Sequence, residues 1–327
     1  MDNSPVITVH APSRIHFGLF GGNNPSGNSY GGVGVMVDDP GIQLEIRASQ
    51  KREHHGDLSN RIREFTDSWL RFTGFQPGQE FAIRLLKAPE SHVGLGTGTQ
   101  LGLAVAAGLY RFHHGETPGV ETLARSVGRG KRSAIGTHGF MLGGLIVDGG
   151  KEFADQIARL DLHLQLPESW RLVLIQCRNQ PGISGAEEEG IFQPDLPRGI
   201  ERRKLLIEIA RHQIIPAVLE GDFDLFCQSV HEFGKSSGAY FADIQGGPFN
   251  GKRITEIIEL ARSRGIQGIG QSSWGPTLYA MARTEEHAEQ IRHQMSEDLY
   301  EDETIIVTRP SQAGARIQID EKSCKSI

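Results

Sequence analysis

The sequence has few cysteines, no long apolar run and no excess of basic residues, and each shortage excludes a class of protein. Its three cysteines, Cys177, Cys227 and Cys324, lie far apart without a Cys-x-x-Cys pair, so neither a disulfide framework nor a zinc knuckle is predicted. A formal net charge of -6 argues against general nucleic-acid binding, which needs a broad basic face. An anionic ligand must therefore meet a local group of basic residues.

The apolar segments are also too short for a membrane protein, because a spanning helix needs about 20 consecutive apolar residues. The first residues, MDNSPVITVHAPSRIHFGL, lack the basic start, apolar core and cleavage site of a signal peptide. We therefore expect no membrane partner and a location in the reducing cytoplasm. At 327 residues the chain is long enough for one large domain or two ordinary ones.

The apolar pattern predicts an N-terminal domain over 1–165 and a C-terminal domain over 166–327. The first half opens with strand segments, among them Gly31 to Val37 and the alternating stretch Ile42 to Ile46. It continues into a helix from about Thr99 to His113, whose apolar residues cover most of its circumference, as is typical of a buried central helix. The second half mixes helices with short strands, which favours an α+β domain within an overall α/β chain.

A glycine-rich turn, HVGLGTGTQLGLAVAAGLY, leads directly into that central helix. Glycines let a ligand approach the backbone, and the free amides at a helix start supply donors and the positive end of the helix dipole. The alternative is a tight turn that only lets the buried helix pack. The turn matches neither the nucleotide P-loop nor Gly-x-Gly-x-x-Gly. The candidate phosphate-binding residues are Gly94, Gly96, Thr97, Gly98 and Thr99.

A second glycine-rich segment, GRGKRSAIGTHGFMLGGLIVDGG, carries positive charge on Arg129, Lys131 and Arg132. Cations on a permissive backbone suit phosphates or carboxylates, although a solvated basic turn is the alternative. Asp148, at the end of a predicted strand in this segment, could bind a metal or act as a base, or be an ordinary turn aspartate.

Three further stretches carry polar candidates. Arg14 and His16 alternate with apolar neighbours, so both would project from one side of a strand and could reach a site, although a structural role is the alternative. GISGAEEE offers Ser184 and a glutamate run whose carboxylates could hold Mg²⁺, or could simply favour a helix start. GIGQSSWGPTLYA is a third loop, whose Trp274 could stack on a ring or pack in the core.

In their order along the chain, PSRIHFGL, HVGLGTGTQLGLAVAAGL and GQSSWGPTLYA resemble the three motifs of the GHMP kinase superfamily. Within that superfamily, GRGKRSAIGTHGFMLGGLIVDGG and GISGAEEE resemble the β-ribofuranosylaminobenzene 5'-phosphate synthases. The resemblance runs over nearly the whole chain. It implies a GHMP-kinase-like fold of two domains, an N-terminal β-rich domain with a buried central helix and a C-terminal ferredoxin-like α+β domain. It also implies a homodimer with the ligand between the domains.

The activity that the resemblance implies is that of a pentosyltransferase. Such an enzyme joins phosphoribosyl pyrophosphate to 4-aminobenzoate or 4-hydroxybenzoate through a carbon–carbon bond and releases pyrophosphate and CO₂, in tetrahydromethanopterin biosynthesis. No organic cofactor is implied, and the pyrophosphate must be stabilised by amides, cations and Mg²⁺ or another divalent ion. The rivals are an ATP-dependent small-molecule kinase of the same superfamily and a relative that binds ligand without catalysis.

The resemblance distributes roles among the candidates. Arg129 and Arg132 would join the glycine turn in binding phosphate or pyrophosphate, and Lys131 and Asp148 would be catalytic, with Asp148 and Glu188 as metal ligands. Relatives often carry an acidic residue shortly after HFGL, where this chain has Phe20-Gly21-Gly22-Asn23-Asn24. If that acid contacts metal or substrate in relatives, another group must replace it here. The substrate-binding candidates are Arg14, His16, Ser184, Ser272 and Ser273.

Overall fold

The structure is a computed structural model that describes residues 5–21, 30–76, 78–153, 155–177 and 196–320, with the side chains of 196–198 left out. Ser184 and Glu188, both predicted from the sequence, lie outside the described residues. The described residues form two sheets with helices packed against each.

The first sheet has two long antiparallel strands at its centre. These two strands, β1 and β2, pair with each other. The other edge of β1 pairs with β11, and the other edge of β2 pairs with β4 near one end of the strand and with β5 near the opposite end. The β3–β4 pair is parallel, and β6 extends the sheet beyond β5. The strands are β1 (Val6–Leu19), β2 (Gly32–Ala48), β3 (Glu53–His55), β4 (Phe81–Lys87), β5 (Leu145–Asp148), β6 (Leu160–Leu164) and β11 (Arg316–Asp320).

The segments predicted as strand at Gly31 to Val37 and at Ile42 to Ile46 are confirmed, and in the structure they belong to one strand, β2. β2 stays extended through Pro40, and β1 accommodates it with a shift of register between Ala11 and Ser13. Proline is tolerated inside a sheet at such irregularities, because no ladder hydrogen bond from its nitrogen is needed there.

Four helices cover one face of this sheet: α1 (Ser59–Thr73), α2 (Thr97–His114), α3 (Val120–Ser126) and α4 (Ile135–Leu142). α2 lies against β1 and β2 and also contacts the other three helices, and its residues from Gln100 to Leu109 are all buried. The predicted buried central helix is therefore confirmed. α4 was not predicted, because its glycines lower helix propensity; burial of Ile135 and Phe140 outweighs that preference.

The second sheet is antiparallel, in the order β10-β7-β9-β8. In chain order its strands lie as fourth, first, third and second, with several helices between the first two strands and one helix between the last two, so the ferredoxin-like arrangement is confirmed. The strands are β7 (Arg171–Cys177), β8 (Ile269–Gln271), β9 (Thr277–Ala282) and β10 (Glu303–Thr308). The helices are α5 (Leu196–Ile209), α6 (Ile215–Glu220), α7 (Phe223–Gly238), α8 (Ala242–Gln245), α9 (Lys252–Ser263) and α10 (Glu285–Ser296), with a π-helical turn at Ala210–Ile214 and a 3-10 turn at Ala239–Phe241.

Residues before the predicted boundary at residue 166 contact residues after it. β11 belongs to the second half of the chain but pairs with β1 in the first sheet. The ring of Phe17 lies 4.9 Å from that of Tyr279 and 6.1 Å from that of Phe226, so β1 packs against the second half. Within the described ranges, no helix is both long and apolar enough to cross a membrane.

Candidate active site

A cavity of about 780 Å³ lies between the two halves of the molecule. It receives residues from β1, α1, the start of α2, the segment 127–133, the end of α7 and the turn between β8 and β9. The three motifs that the resemblance rests on therefore meet in one place. The sequence-predicted residues that line the cavity are Arg14, His16, Gly94, Gly96, Thr97, Gly98, Thr99, Arg129, Lys131, Arg132 and Ser273.

The glycine turn presents the open start of α2 to this cavity. Gly96, with φ 71°, caps the helix, and its carbonyl oxygen accepts from the amides of Thr99 and Gln100. The Oγ1 of Thr97 donates to the carbonyl of Glu90 at 2.9 Å instead of capping the helix. In the part of the chain that the structure describes, the amides of Thr97 and Gly98 have no protein acceptor, which is the arrangement that binds anions at helix starts.

Two arginines lie directly over the glycines of this turn. A Cβ atom on Gly96 would lie 3.3 Å from the Cβ of Arg14, and one on Gly98 would lie 3.3 Å from an Nη atom of Arg129. The absence of side chains there lets both guanidinium groups approach the helix start. Two cations and two open amides therefore face the same small volume, which suits a phosphate or pyrophosphate group.

Arg129 is held by an aromatic ring instead of by a carboxylate. Its guanidinium carbon lies 4.9 Å from the centroid of Phe65, and that of Arg61 lies 5.0 Å from the same centroid. Burial, followed by the charges of Arg61 and Arg132, lowers the pKa of Arg129 to about 10. Its Nε atom is buried and has no hydrogen-bond partner among the described residues. The charge of Glu64 opposes this lowering of the pKa, but Glu64 already forms an ion pair with Arg61, so an incoming anion would add compensating charge at Arg129.

Sequence reasoning missed the contribution of α1 to this site. Arg61, Glu64 and Ser68 all line the cavity, and Arg61 forms an ion pair with Glu64 at 2.6 Å. Their spacing places them on one face of α1, but an exposed polar face gives the same pattern. Only the packing of α1 beside α2 brings them to the cavity, so no local signal in the sequence could have found them.

Ser272 connects the three motifs through hydrogen bonds behind the cavity lining. Its Oγ accepts from the backbone amide of His16 at 3.0 Å and donates to the carbonyl of Gly94 at 2.7 Å. The amide of Ser273 donates to the carbonyl of His16 at 3.1 Å. Ser272 is fully buried and does not line the cavity, whereas Ser273 does.

Backbone strain is concentrated around the cavity. The described residues other than glycine with positive φ are Tyr30 (63°), His92 (65°) and Ser273 (58°), and all three line it. Such conformations cost roughly 1–3 kcal/mol each and cluster at functional sites. Their common location is a further indication of function.

His16 is a neutral hydrogen-bonding group at the cavity wall. Burial, with a smaller contribution from Arg14, lowers the pKa of His16 well below its ordinary value. Its Nε2 lies 3.3 Å from the Oγ of Ser133, which also lines the cavity. Protonation of His16 beside Arg14 would therefore be unfavourable at neutral pH.

Asp148 lies behind the basic segment and is not among the residues that line the cavity. Its Oδ2 accepts from the amide of Ala134 at 2.5 Å and its Oδ1 from the amide of Gly150 at 2.8 Å. Burial raises the pKa of Asp148, and the hydrogen bonds from Gly150, Ala134 and Ser133 oppose that effect. The geometry adds a positioning role to the catalytic and metal-binding roles predicted for it.

The described residues do not by themselves make a magnesium site. Among the described residues that line the cavity, Glu64 is the one acidic residue, and it already forms an ion pair with Arg61. No group of three or more His, Cys, Asp or Glu side chains that could hold a metal is found in the described ranges. No catalytic step through a metal follows from the described residues, and Mg²⁺ bound through Glu188 stays a prediction.

Comparison with known proteins agrees with the resemblance read from the sequence. The family model described as GHMP kinases C terminal matches residues 214–301. The chain is 30% identical over 301 residues to the β-ribofuranosylphenol 5'-phosphate synthase of Methanothermobacter thermautotrophicus, covering 84% of this chain and 88% of that protein. It is 30% identical over 334 residues to the protein of the same name from Archaeoglobus fulgidus, covering 96% and 100%.

Solved structures support the fold alone. A homoserine kinase from Cytophaga hutchinsonii superposes with a TM-score of 0.67 at 16% identity, over 97% of this chain and 98% of that one. A mevalonate diphosphate decarboxylase from Staphylococcus aureus superposes with a TM-score of 0.69 at 14% identity, over 96% and 98%. Because these proteins catalyse different reactions on one fold, the likeness does not select an activity.

Proposed function

The chain belongs to the family of β-ribofuranosylphenol 5'-phosphate synthases, and on that premise we propose that it joins phosphoribosyl pyrophosphate to 4-hydroxybenzoate. The relatives' name specifies a phenol, which favours a para hydroxyl over the para amino group of 4-aminobenzoate. The proposal includes a role in tetrahydromethanopterin biosynthesis, a cytoplasmic location and a homodimer. It also keeps Mg²⁺ as the ion that would accompany the pyrophosphate.

The observation that carries the proposal is the charge around one cavity of a net acidic protein. Five cationic side chains line it beside the open start of α2: Arg14, Arg61, Arg129, Lys131 and Arg132. The proposed substrates bring three anionic groups, a pyrophosphate, a 5'-phosphate and a carboxylate. We place the pyrophosphate at the amides of Thr97 and Gly98, because Arg129 lies over the same glycine turn.

The proposed reaction needs charge stabilisation more than it needs a base. The bond from the ribose anomeric carbon to pyrophosphate breaks, and its electron pair leaves with the pyrophosphate. The ring carbon that bears the carboxylate then attacks the anomeric carbon, with electron donation from the para hydroxyl. The carboxylate leaves as CO₂, and the electron pair of its bond to the ring restores aromaticity.

No net proton transfer is required by this balance. A neutral His16 is compatible with it, because the imidazole can hydrogen bond to substrate without taking up a proton. The open amides and Arg129 stabilise the charge that develops on the leaving group, where preorganised donors have their largest effect on rate. Asp148 as a base therefore stays a prediction, tested by the variant described in the Discussion.

The proposed function is tested by incubating the purified protein with Mg²⁺, phosphoribosyl pyrophosphate and carboxyl-labelled 4-hydroxybenzoate. We expect labelled CO₂ and pyrophosphate to appear in equal amounts, with 4-aminobenzoate as the comparison acceptor. Release from neither acid, together with consumption of ATP on a panel of alcohols, would identify a kinase. Tight binding of both substrates without release would identify a non-catalytic relative.

Separate replacement of Lys131 and of Arg132 by alanine is expected to weaken binding of phosphoribosyl pyrophosphate. Loss of one charge-assisted hydrogen bond to phosphate corresponds to roughly a 10- to 100-fold higher KM for that substrate. The melting temperature should change by less than about 2 °C, because neither side chain belongs to an apolar core. Steady-state kinetics and thermal unfolding measure the two effects.

Lys252→Ala is the matched control, since Lys252 lies on α9 with its side chain 91% exposed. It should change neither quantity. A large fall in melting temperature for Lys131→Ala or Arg132→Ala would instead show that the basic segment is structural.

A further inference from the structure

The cavity has an aromatic end that the charge argument does not use. Phe241 and Trp274 both line it, with ring centroids 4.3 Å apart and ring planes inclined by 56°. Pro248 and Phe249 line the same region. These residues all come from the second half of the chain, whereas the five cations come from the first half. Phe17, Tyr30 and Phe65 of the first half line the cavity as well, so the name aromatic wall is kept here for Phe241, Pro248, Phe249 and Trp274 alone.

We propose that Phe241 and Trp274 form the surface on which the aromatic ring of the acceptor stacks, and that Gln245 recognises its para hydroxyl. This proposal rests on the proposed function, because it names the subsite of one of the two substrates. A planar benzoate presents an apolar face that an indole and a phenyl ring cover well. The 5'-phosphate and the pyrophosphate of phosphoribosyl pyrophosphate have no apolar face that could pack against these rings.

The turn that carries Trp274 is fixed before any ligand arrives. Nε2 of Gln271 donates to the carbonyl of Ser273 at 3.0 Å, and Nδ2 of Asn250 donates to the carbonyl of Trp274 at 3.2 Å. The strained backbone of Ser273 is further held by its bond to His16. A rigid stacking surface loses little conformational entropy on binding, so it favours affinity for a rigid ring.

The same turn lies against the phosphate loop. A Cβ atom on Gly94 would lie 3.4 Å from the Cα of Gly275, the residue after Trp274, and Ser272 bonds to the carbonyl of Gly94. A ring stacked on Trp274 is thus a neighbour of a pyrophosphate bound at the start of α2. This adjacency is what a bond between the ring and the ribose anomeric carbon requires.

Gln245 offers an acceptor at the aromatic wall. It lines the cavity, is only 7% exposed and donates through Nε2 to the carbonyl of Gly238 at 2.9 Å. That bond uses one of the two Nε2 hydrogens and orients the amide, whose acceptor is Oε1. Oε1 can accept from a phenolic O–H, whereas an ether in the same position has no proton to donate.

Kinetics of aromatic-wall variants test the stacking surface. Trp274→Leu and Phe241→Leu should each raise the KM for 4-hydroxybenzoate roughly 10-fold, because leucine has no flat aromatic face on which the ring can stack. The KM for phosphoribosyl pyrophosphate should stay within twofold of wild type, and Trp274→Phe should restore most of the loss. Equal rises in both KM values, or no rise in either, would overturn the proposal.

Fluorescence titration separates this proposal from the proposed function, since it needs no turnover. 4-Hydroxybenzoate should quench tryptophan emission of the wild type, with and without added pyrophosphate, and the quench should be lost in Trp274→Phe. Trp69 and Trp170 stay buried in that variant and supply the remaining emission. Saturable quenching without CO₂ release would keep the subsite and reject the activity. No quenching by the benzoate, or quenching by ATP alone, would overturn the subsite.

Gln245→Leu tests the recognition of the hydroxyl. The wild type should bind 4-hydroxybenzoate at least 10-fold more tightly than 4-methoxybenzoate, because the ether leaves Oε1 without a donor. In Gln245→Leu this preference should shrink to about twofold. A preference that survives the substitution would remove Gln245 from the proposal.

Discussion

Replacement of Asp148 by asparagine is expected to lower the melting temperature by roughly 5–10 °C and to raise the KM for phosphoribosyl pyrophosphate at the same time. Each carboxylate oxygen accepts from a backbone amide, one from Ala134 and one from Gly150. Asparagine keeps one acceptor and turns its NH₂ group against the other amide. A buried donor without an acceptor costs about 1–3 kcal/mol, and more where a charged acceptor is lost.

The kinetic part of this expectation follows from what Asp148 holds. Its bond to Ala134 fixes the end of the segment that carries Arg129, Lys131 and Arg132 into the cavity. Lys151 adds a bond from its Nζ to the carbonyl of Lys131. Loosening that segment should displace all three cations together, so the effect on substrate binding should exceed that of Lys131→Ala.

Asp224→Asn is the control for removal of a carboxylate. Asp224 forms an ion pair with Arg283 at 2.9 Å, but its side chain is 76% exposed, and exposed pairs contribute about 0–1 kcal/mol. Thermal unfolding and steady-state kinetics of both variants decide between the roles of Asp148. An unchanged melting temperature with a kcat reduced more than 100-fold would favour the base or metal ligand predicted from the sequence.

The parts of the fold that follow from local patterns were predictable. α2 was identified because a helix that is apolar around most of its circumference can only be central. The strands and helices of the second half were recognisable from their periodicity. β11 shows the limit, since its pairing with β1 joins the two ends of the described chain and no local pattern encodes such a partner. α4 shows another, because burial there overrides a glycine-rich sequence.

The candidate site divides in the same way. The glycine turn was found because glycines before a buried helix suit an anion site, and the basic segment because three cations lie among glycines in one short stretch. Arg61 was not predicted, since it reaches the cavity only through the packing of α1 beside α2. Ser272 and Asp148 were singled out, but the structure places both behind the cavity wall, where they hold the backbone of residues that line it. Sequence motifs thus mark the supports of a site as strongly as its lining.

Replacement of Gly94 by alanine is expected to reduce kcat/KM about 100-fold or more, because a displacement of about 1 Å at a reacting group has an effect of that size. A Cβ atom on Gly94 would lie 2.5 Å from the carbonyl oxygen of Ser272, closer than any real contact, and φ at Gly94 is 85°. Either the phosphate loop or the turn that carries Trp274 must move. Both proposed substrates would then lose their relative placement.

Gly74→Ala separates backbone strain from this contact. Gly74 ends α1 with φ 63°, and a Cβ atom there would meet nothing within 4 Å. It should therefore show only the penalty of a left-handed alanine, about 1 kcal/mol of stability, with normal kinetics. If Gly94→Ala matched it in both stability and kcat/KM, the close approach of the two loops would be irrelevant to the reaction. If only Gly94→Ala lost activity, the contact between Gly94 and Ser272 would be what sets the pyrophosphate and the acceptor ring side by side.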